Sequence, residues 1–307
     1  MKRGLVLGLG LLALTGAALL LGGCEEKDVA DFFGAASNVT ATTTEIRDLV
    51  IEEPLEVFVA SSNGAVSIVG RDDVQTVSLT IRRRSRGETL EEARDRVDRI
   101  RVRVEQNGPR LDVAYRSGEQ DEDVRRFSGV DFDVIVPMQT QVSVDTSNGR
   151  IDLFAVAGRQ TLDTSNGEIS VRSGRGTLDA NTSNGRITVV DYVGEVRADT
   201  SNGDIRIDRA TGFVDAETSN GSIQYSGTPG EGVANRLRTS NGTIDAQVPT
   251  DASIAFEIHA SSGRITSLLP LVGDTTGEDW SATLNPPAAT SLVLRTSNGS
   301  IWVDSTP

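Results

Sequence analysis

The chain has 307 residues, 44 acidic and 30 basic, for a formal charge of −14 at pH 7. That balance argues against a nucleic-acid partner, whose phosphates recruit basic surfaces. One cysteine excludes an internal disulfide framework and a cysteine metal cluster, one histidine leaves little imidazole chemistry, and 4% aromatic residues is thin for a ring-floored sugar groove.

Residues 1–23 place Lys2 and Arg3 before an uncharged apolar run that ends at Leu21-Gly22-Gly23, directly before Cys24. This reads as an export signal peptide, and it is left out of fold reasoning. A large apolar residue, two small ones and a cysteine resemble the bacterial lipobox. There the small residues let the backbone enter a peptidase cleft, and the thiol receives lipid as a thioether. Cys24 is the expected lipidation site, which makes a membrane the first expected partner and the cell envelope, on its periplasmic side or at the surface, the expected location. Loss of Lys2 and Arg3 takes the net charge from −14 to −16.

Residues 24–50 read as a lipidated N-terminus followed by an acidic, then Ala/Ser/Thr-rich tether, with a first strand over 39–50 as the other reading. Residues 51–140 form an N-terminal β region. "LEVFVASSNGAVSIVG" alternates from Leu55, and "VQTVSLTIRRR", "RIRVRVEQNGPRLDVAYRSG" and "FSGVDFDVIVP" continue as strands. A helix is predicted at about 88–100. Thr89 and Glu92 are spaced as a capping box, and Leu90, Ala93, Val97 and Ile100 fall on one face. The cluster Arg82-Arg83-Arg84-Ser85-Arg86 fits anionic headgroups or acidic polysaccharide, but a solvated edge paired with Glu91, Glu92 and Asp95 is the favoured reading.

Residues 141–307 carry the repeat. TSNG begins at Thr146, Thr164, Thr182, Thr200 and Thr218, each 18 residues after the last, and returns at Thr239 and Thr296, with a degenerate SSGR at Ser261 and an outlying SSNG at Ser61. A fixed period of this size marks a repeat architecture. Asn-Gly between alternating apolar residues also signals a hairpin, because both turn residues need positive φ, and this leaves an antiparallel meander as the competitor. Two observations favour stacked coils. Equivalent positions in a solenoid touch about 4.8 Å apart, which gives Ile151, Ile169, Ile187, Ile205 and Ile223 a reason to repeat. The residue after Gly alternates in sign, Arg150, Glu168, Arg186, Asp204, as neighbouring charges should.

The expected fold is therefore all-β: a single-stranded parallel β-solenoid, or β-helix, with 18-residue coils and one short helical insertion near the N-terminus. The repeat residues Thr146, Asn148, Gly149 and Ile151, then Thr164, Asn166, Gly167 and Ile169, take structural roles. So do Thr182, Asn184, Gly185 and Ile187, then Thr200, Asn202, Gly203 and Ile205, and finally Thr218, Asn220, Gly221 and Ile223. Threonine should point inward, its hydroxyl bonded to a neighbouring threonine or to corner backbone, and asparagine should form a ladder at one corner.

Candidate chemistry is sparse. His259 alternates with Ile254, Phe256 and Ile258 and reads as an outward strand residue. No Gly-Gly-x-Gly-x-Asp calcium nonapeptide occurs, so neither a metal nor another cofactor is expected. The outward row Asp145, Asp163, Asn181, Asp199, Glu217 is the possible binding surface, although a solvated acidic row is the plainer reading.

From about Leu55 onward the chain resembles the bacterial putative-adhesin family catalogued as a domain of unknown function. The shared features are "LEVFVASSNGAVSIVG", a charged helical insertion, "DVIVP" before the repeats, and serial "TSNGxI" units. The resemblance implies a β-solenoid in a cell-envelope setting and transfers no catalytic residue. The expected function is non-enzymatic: a rod of roughly 40 Å, about eight rungs at about 4.8 Å each, that presents polar ladders to an envelope protein or glycan. The alternative is a polysaccharide-active β-helix lyase or hydrolase using the surface carboxylates.

Overall fold

Apolar residues that return in register every 18 positions bury one another only if successive coils stack, and that is what the chain does. The computed structural model describes residues 39–50 and 55–306. The expected signal peptide, Cys24 and the start of the expected tether lie outside the described residues.

Each coil contributes one strand to each of two sheets. In the first sheet Thr140–Thr146, Ala157–Thr164, Arg175–Thr182, Val193–Thr200, Val214–Thr218 and Ala234–Asn241 pair parallel, threonine upon threonine. In the second, Ile151–Phe154, Ile169–Arg172, Ile187–Val190, Ile205–Gly212, Ile223–Pro229 and Ile244–Val248 do the same, isoleucine upon isoleucine. Between the sheets runs a dry interior in which Ile151, Ile169, Ile187, Ile205 and Ile223 are all 0% exposed. The meander is thereby excluded: adjacent strands in the repeats run parallel.

Two coils sit out of sequence order. Leu55–Ser61 and Val66–Arg71 lie between the coil of Arg110–Tyr115 and Ser128–Pro137 on one side and that of Thr140–Thr146 and Ile151–Phe154 on the other. At the far end Thr290–Asn298 and Ile301–Ser305 insert between Ala234–Asn241 and Ile244–Val248 and the last coil, Ile254–Ser262 and Ile265–Ser267. The boundary expected at 140 is therefore no break, because sheets and core continue across it.

Antiparallel strands close the ends. Val39–Val50 pairs along all its length with Thr76–Gly87, which in turn pairs with Ser128–Pro137. The tether reading thus fails over 39–50, where Ala41 is buried and Leu49 packs on the core. Arg103–Asn107 folds onto Arg110–Tyr115, and Asp279–Leu284 onto Ile254–Ser262. The expected helix is present at Leu90–Arg99, with the Glu92 N–H donating to Thr89 Oγ1 at 3.2 Å and Glu92 reaching back to the N–H of Glu88. Its Ala93, Val97 and Ile100 are buried, while Leu90 stays 43% exposed. A second helix, Glu122–Phe127, went unforeseen because six residues are too few to show a helical period.

The arginine cluster is paired, though not with the acids expected. Arg82 meets Asp133, Arg83 meets Glu45 and Arg84 meets Asp131, because their strand lies between those of the three acids and side chains on neighbouring strands face one another.

Candidate binding surface

The TSNG corner commits its threonine and asparagine side chains to internal hydrogen bonds and leaves its serine hydroxyls outward. Thr164, Thr182, Thr200, Thr218, Thr239 and Thr296 are buried, and each hydroxyl donates to a glycine carbonyl of the preceding rung at 2.8 to 3.1 Å. In the coils of Thr164 and Thr182 the same oxygen accepts from its own glycine N–H, at 3.1 and 3.2 Å. The hydroxyl thus bonds corner backbone rather than another threonine. Thr146 differs, since its buried Oγ1 has no partner. Thr182→Val should cost about 2 kcal/mol in urea unfolding, because it strands a buried carbonyl and a buried N–H, whereas Thr146→Val should cost almost nothing.

Outside the threonines stands the asparagine ladder. Each side-chain amide donates to the Oδ1 of the rung before it, from Asn148 to Asn63 at 2.9 Å and onward through Asn166, Asn184, Asn202, Asn220, Asn241 and Asn298. The expected ladder of Asn148 to Asn220 thereby gains a rung at the front and two at the back. The Ser261 coil ends it, with Ser262 beside Asn298.

Glycine at this corner has an unexpected role. Gly149, Gly167, Gly185, Gly203 and Gly221 lack the positive φ of a hairpin turn. What they supply is room: a Cβ on Gly167 or Gly185 would lie 1.7 Å from the carbonyl oxygen of the previous glycine. A tight hairpin does follow Asn107, but its two turn residues are Gly108 and Pro109: Asn107 pairs with Arg110 across antiparallel strands, and only Gly108 takes a positive φ, +58.

The coils of the repeat turn a second corner on the way from the second sheet back to the first. This turn begins at Ala155, Ser173, Asp191 and Arg209, all in the left-handed region (φ 53 to 56). Gly158, Gly176, Gly194 and Gly212 follow three residues later at φ 110 to 132. This second glycine stripe also repeats every 18 residues and was legible, but TSNG overshadowed it. Buried Gln160 and Tyr192 plug this corner, the Tyr192 hydroxyl donating to Gln160 Oε1 at 3.4 Å.

Of the alternating charges after the TSNG glycines, Arg186 meets Asp204 at 3.4 Å across one rung, but Arg150 turns to Asp152 on its own strand. The second corner supplies the firmer cross-rung pair, bidentate, with Arg209 Nε at 2.6 Å and Nη2 at 3.0 Å from the Asp191 carboxylate.

The acidic row is a true column: Asp145, Asp163, Asn181, Asp199 and Glu217 are successive register partners on the outer side of the first sheet. It continues into Arg238, Arg295 and His259. Asn181 donates to Asp163 and Asp179, both at 3.0 Å. Burial pushes the Asp163 carboxyl above the usual carboxylate range, the Asn181 amide pulls it back, and the charges of Asp179 and Asp145 add to the rise. Asp199 is raised by burial and then by Asp179 and Asp215. A raised folded value means the native state holds its proton to higher pH than the unfolded chain, so stability falls as pH climbs through it. Asp163→Asn should therefore melt higher than the parent at neutral pH, and the difference should vanish as pH drops below 3.8, the ordinary value for an aspartate.

His259 faces outward as expected. Its Nδ1 lies 2.6 Å from Asp279 Oδ1 and its Nε2 2.9 Å from Ser261 Oγ, the connectivity of a Ser-His-Asp triad. Asp279 is 83% exposed, so water screens the pairing. Among the described residues no group of three or more His, Cys, Asp or Glu side chains is arranged to hold a metal ion.

The protein is thus a two-sheet parallel β-solenoid whose corner asparagines bond to one another and whose inward threonines, Thr146 apart, bond to its own backbone. It belongs to the Toastrack DUF4097 family, whose pattern matches residues 73–304. No curated protein matches the chain. Similar solved structures include a putative adhesin from Parabacteroides distasonis ATCC 8503, 13% identical, with a TM-score of 0.45 over 86% of this chain and 97% of that one. Another is a putative adhesin from Bacteroides fragilis NCTC 9343, 12% identical, with a TM-score of 0.34 over 85% and 97% of the two chains. A third is a putative lipid binding protein from Parabacteroides distasonis ATCC 8503, 11% identical, with a TM-score of 0.36 over 86% and 97%.

Proposed function

We propose that the protein is a non-enzymatic lipoprotein of the cell envelope, anchored through Cys24, whose solenoid presents a polar surface to another envelope macromolecule, a protein or glycan. The observation that carries this reading is a division of roles within the repeat. Threonine, asparagine, glycine and isoleucine, which hardly vary from rung to rung, are engaged in holding coils together. Charge varies at outward positions such as Asp145, Asp163, Asp199 and Glu217, where a change alters the surface and spares the stack, whereas inward variation, as in Leu178, Val196 and Val214, exchanges one apolar side chain for another. The anchor rests on the Leu21-Gly22-Gly23-Cys24 motif behind Lys2 and Arg3.

Capture from envelope extracts tests the surface: the chain from Glu25 should retain a partner, and neutralising Asp145, Asp163, Asp199 and Glu217 together should release it. Equal capture by both proteins would sink the reading. For the anchor, Cys24→Ser should move the protein out of the membrane fraction. Release of oligosaccharides from polyuronates, lost in Asp163→Asn, would favour a polysaccharide-active enzyme instead.

A further inference from the structure

The outer side of the first sheet is divided by charge along its length. Asp145, Asp163 and Asp179 lie toward one end, and Arg236, Arg238 and Arg295 toward the other. Among the described residues Asp145, Asp163, Asp179, Arg238 and Arg295 make no ion pair within the chain, although the protein pairs many of its other charges. Arg238 Nε is buried without a hydrogen-bond partner. Stacked like charges on adjacent strands are destabilising, so the column costs the monomer stability.

We propose that this face binds a second copy of the chain, face to face, about a two-fold axis lying in the interface, parallel to the strands and between the rungs of Asp199 and Glu217. Such an axis reverses the order of the rungs and keeps the columns aligned. Asp163 then opposes Arg295. Asp179 opposes Arg236 and Arg197 opposes Asp215, although three of these residues also pair within their own chain, Arg236 with Asp215 and Arg197 with Glu195. Asp145 opposes His259, whose ring nitrogens already meet Asp279 and Ser261. Each pair occurs twice, because a two-fold interface is self-complementary. Asn181 opposes Arg238 and offers its guanidinium an amide oxygen. One like pair, Asp199 against Glu217, works against the arrangement beside the axis. Eight rungs at about 4.8 Å, each about five residues wide at about 3.3 Å, give roughly 600 to 700 Å² per partner. That approaches the area of about 800 Å² per partner in ordinary specific interfaces.

This takes the acidic row as the binding surface and so rests on the proposed function, with the partner now a second copy. Sedimentation equilibrium of the full chain in detergent should give twice the chain mass at low salt and the single mass at high salt, because the contacts are charge pairs. Arg295→Asp alone should give the single mass at low salt, and Arg295→Asp combined with Asp163→Arg should restore the double mass. A single mass for the parent at low salt, or a double mass that survives Arg295→Asp, overturns the proposal. If the parent is single but binds polylysine through the same column, the acidic surface stands and the second copy does not.

Discussion

Gly185→Ala should destabilise the protein by about 3 kcal/mol or more, a large penalty for one methyl group. The added Cβ would meet Gly167 O at 1.7 Å and its carbonyl carbon at 2.6 Å. Both obstacles are backbone, held by hydrogen bonds to either side, so relief requires prising two coils apart. The corner also orders Thr182, whose hydroxyl accepts from the Gly185 N–H, and that bond would be strained. Gly108→Ala is the matched control. Nothing lies within 4 Å of that Cβ, and only the φ of +58 opposes it, which costs about 1 to 2 kcal/mol. Chemical unfolding of the two variants side by side distinguishes close approach from backbone conformation as the reason for glycine. Equal losses would show that room is not what Gly185 provides.

Ile187→Glu should be the most damaging single change in the interior, beyond about 4 kcal/mol. Ile187 is 0% exposed and stacks between Ile169 and Ile205. The replacement fills much the same space, so the loss comes from placing a carboxyl where nothing offers it a hydrogen bond. Ile187→Val, which removes one methylene, should cost about 1 kcal/mol. Coils of a solenoid contact chiefly their neighbours, so protection from hydrogen exchange should collapse first around residues 169–207 and least at the ends. A variant with unchanged melting temperature would mean that the stripe does not face inward.

The core was legible because stacking imposes identity: isoleucine must meet isoleucine, and an 18-residue spacing in the sequence becomes one strand separation in space. Inward threonine followed from its shared parity with Val142 and Val144. The reason for glycine was not legible, since Asn-Gly at Asn107 and Asn-Gly at Asn184 are the same letters in different surroundings. Nor was the order of the coils. Thr239 and Thr296 are partners in register although 57 residues apart, and no local pattern announces that Ser261 lies outside both. The candidate surface was half visible. The acidic row could be read from the repeat, but its continuation into Arg238, Arg295 and His259 depends on that rearranged order.

The same rearrangement bears on how the chain comes into being. Thr290–Ser305, which is synthesised after Ile254–Ser267, forms the layer on which that earlier coil rests. Until that later segment emerges, the earlier one has no parallel strand to dock against. The coil of Ile254–Ser267 therefore locks only after a segment more than twenty residues further along has been made, out of chain order, and long-range pairing of this kind is slow.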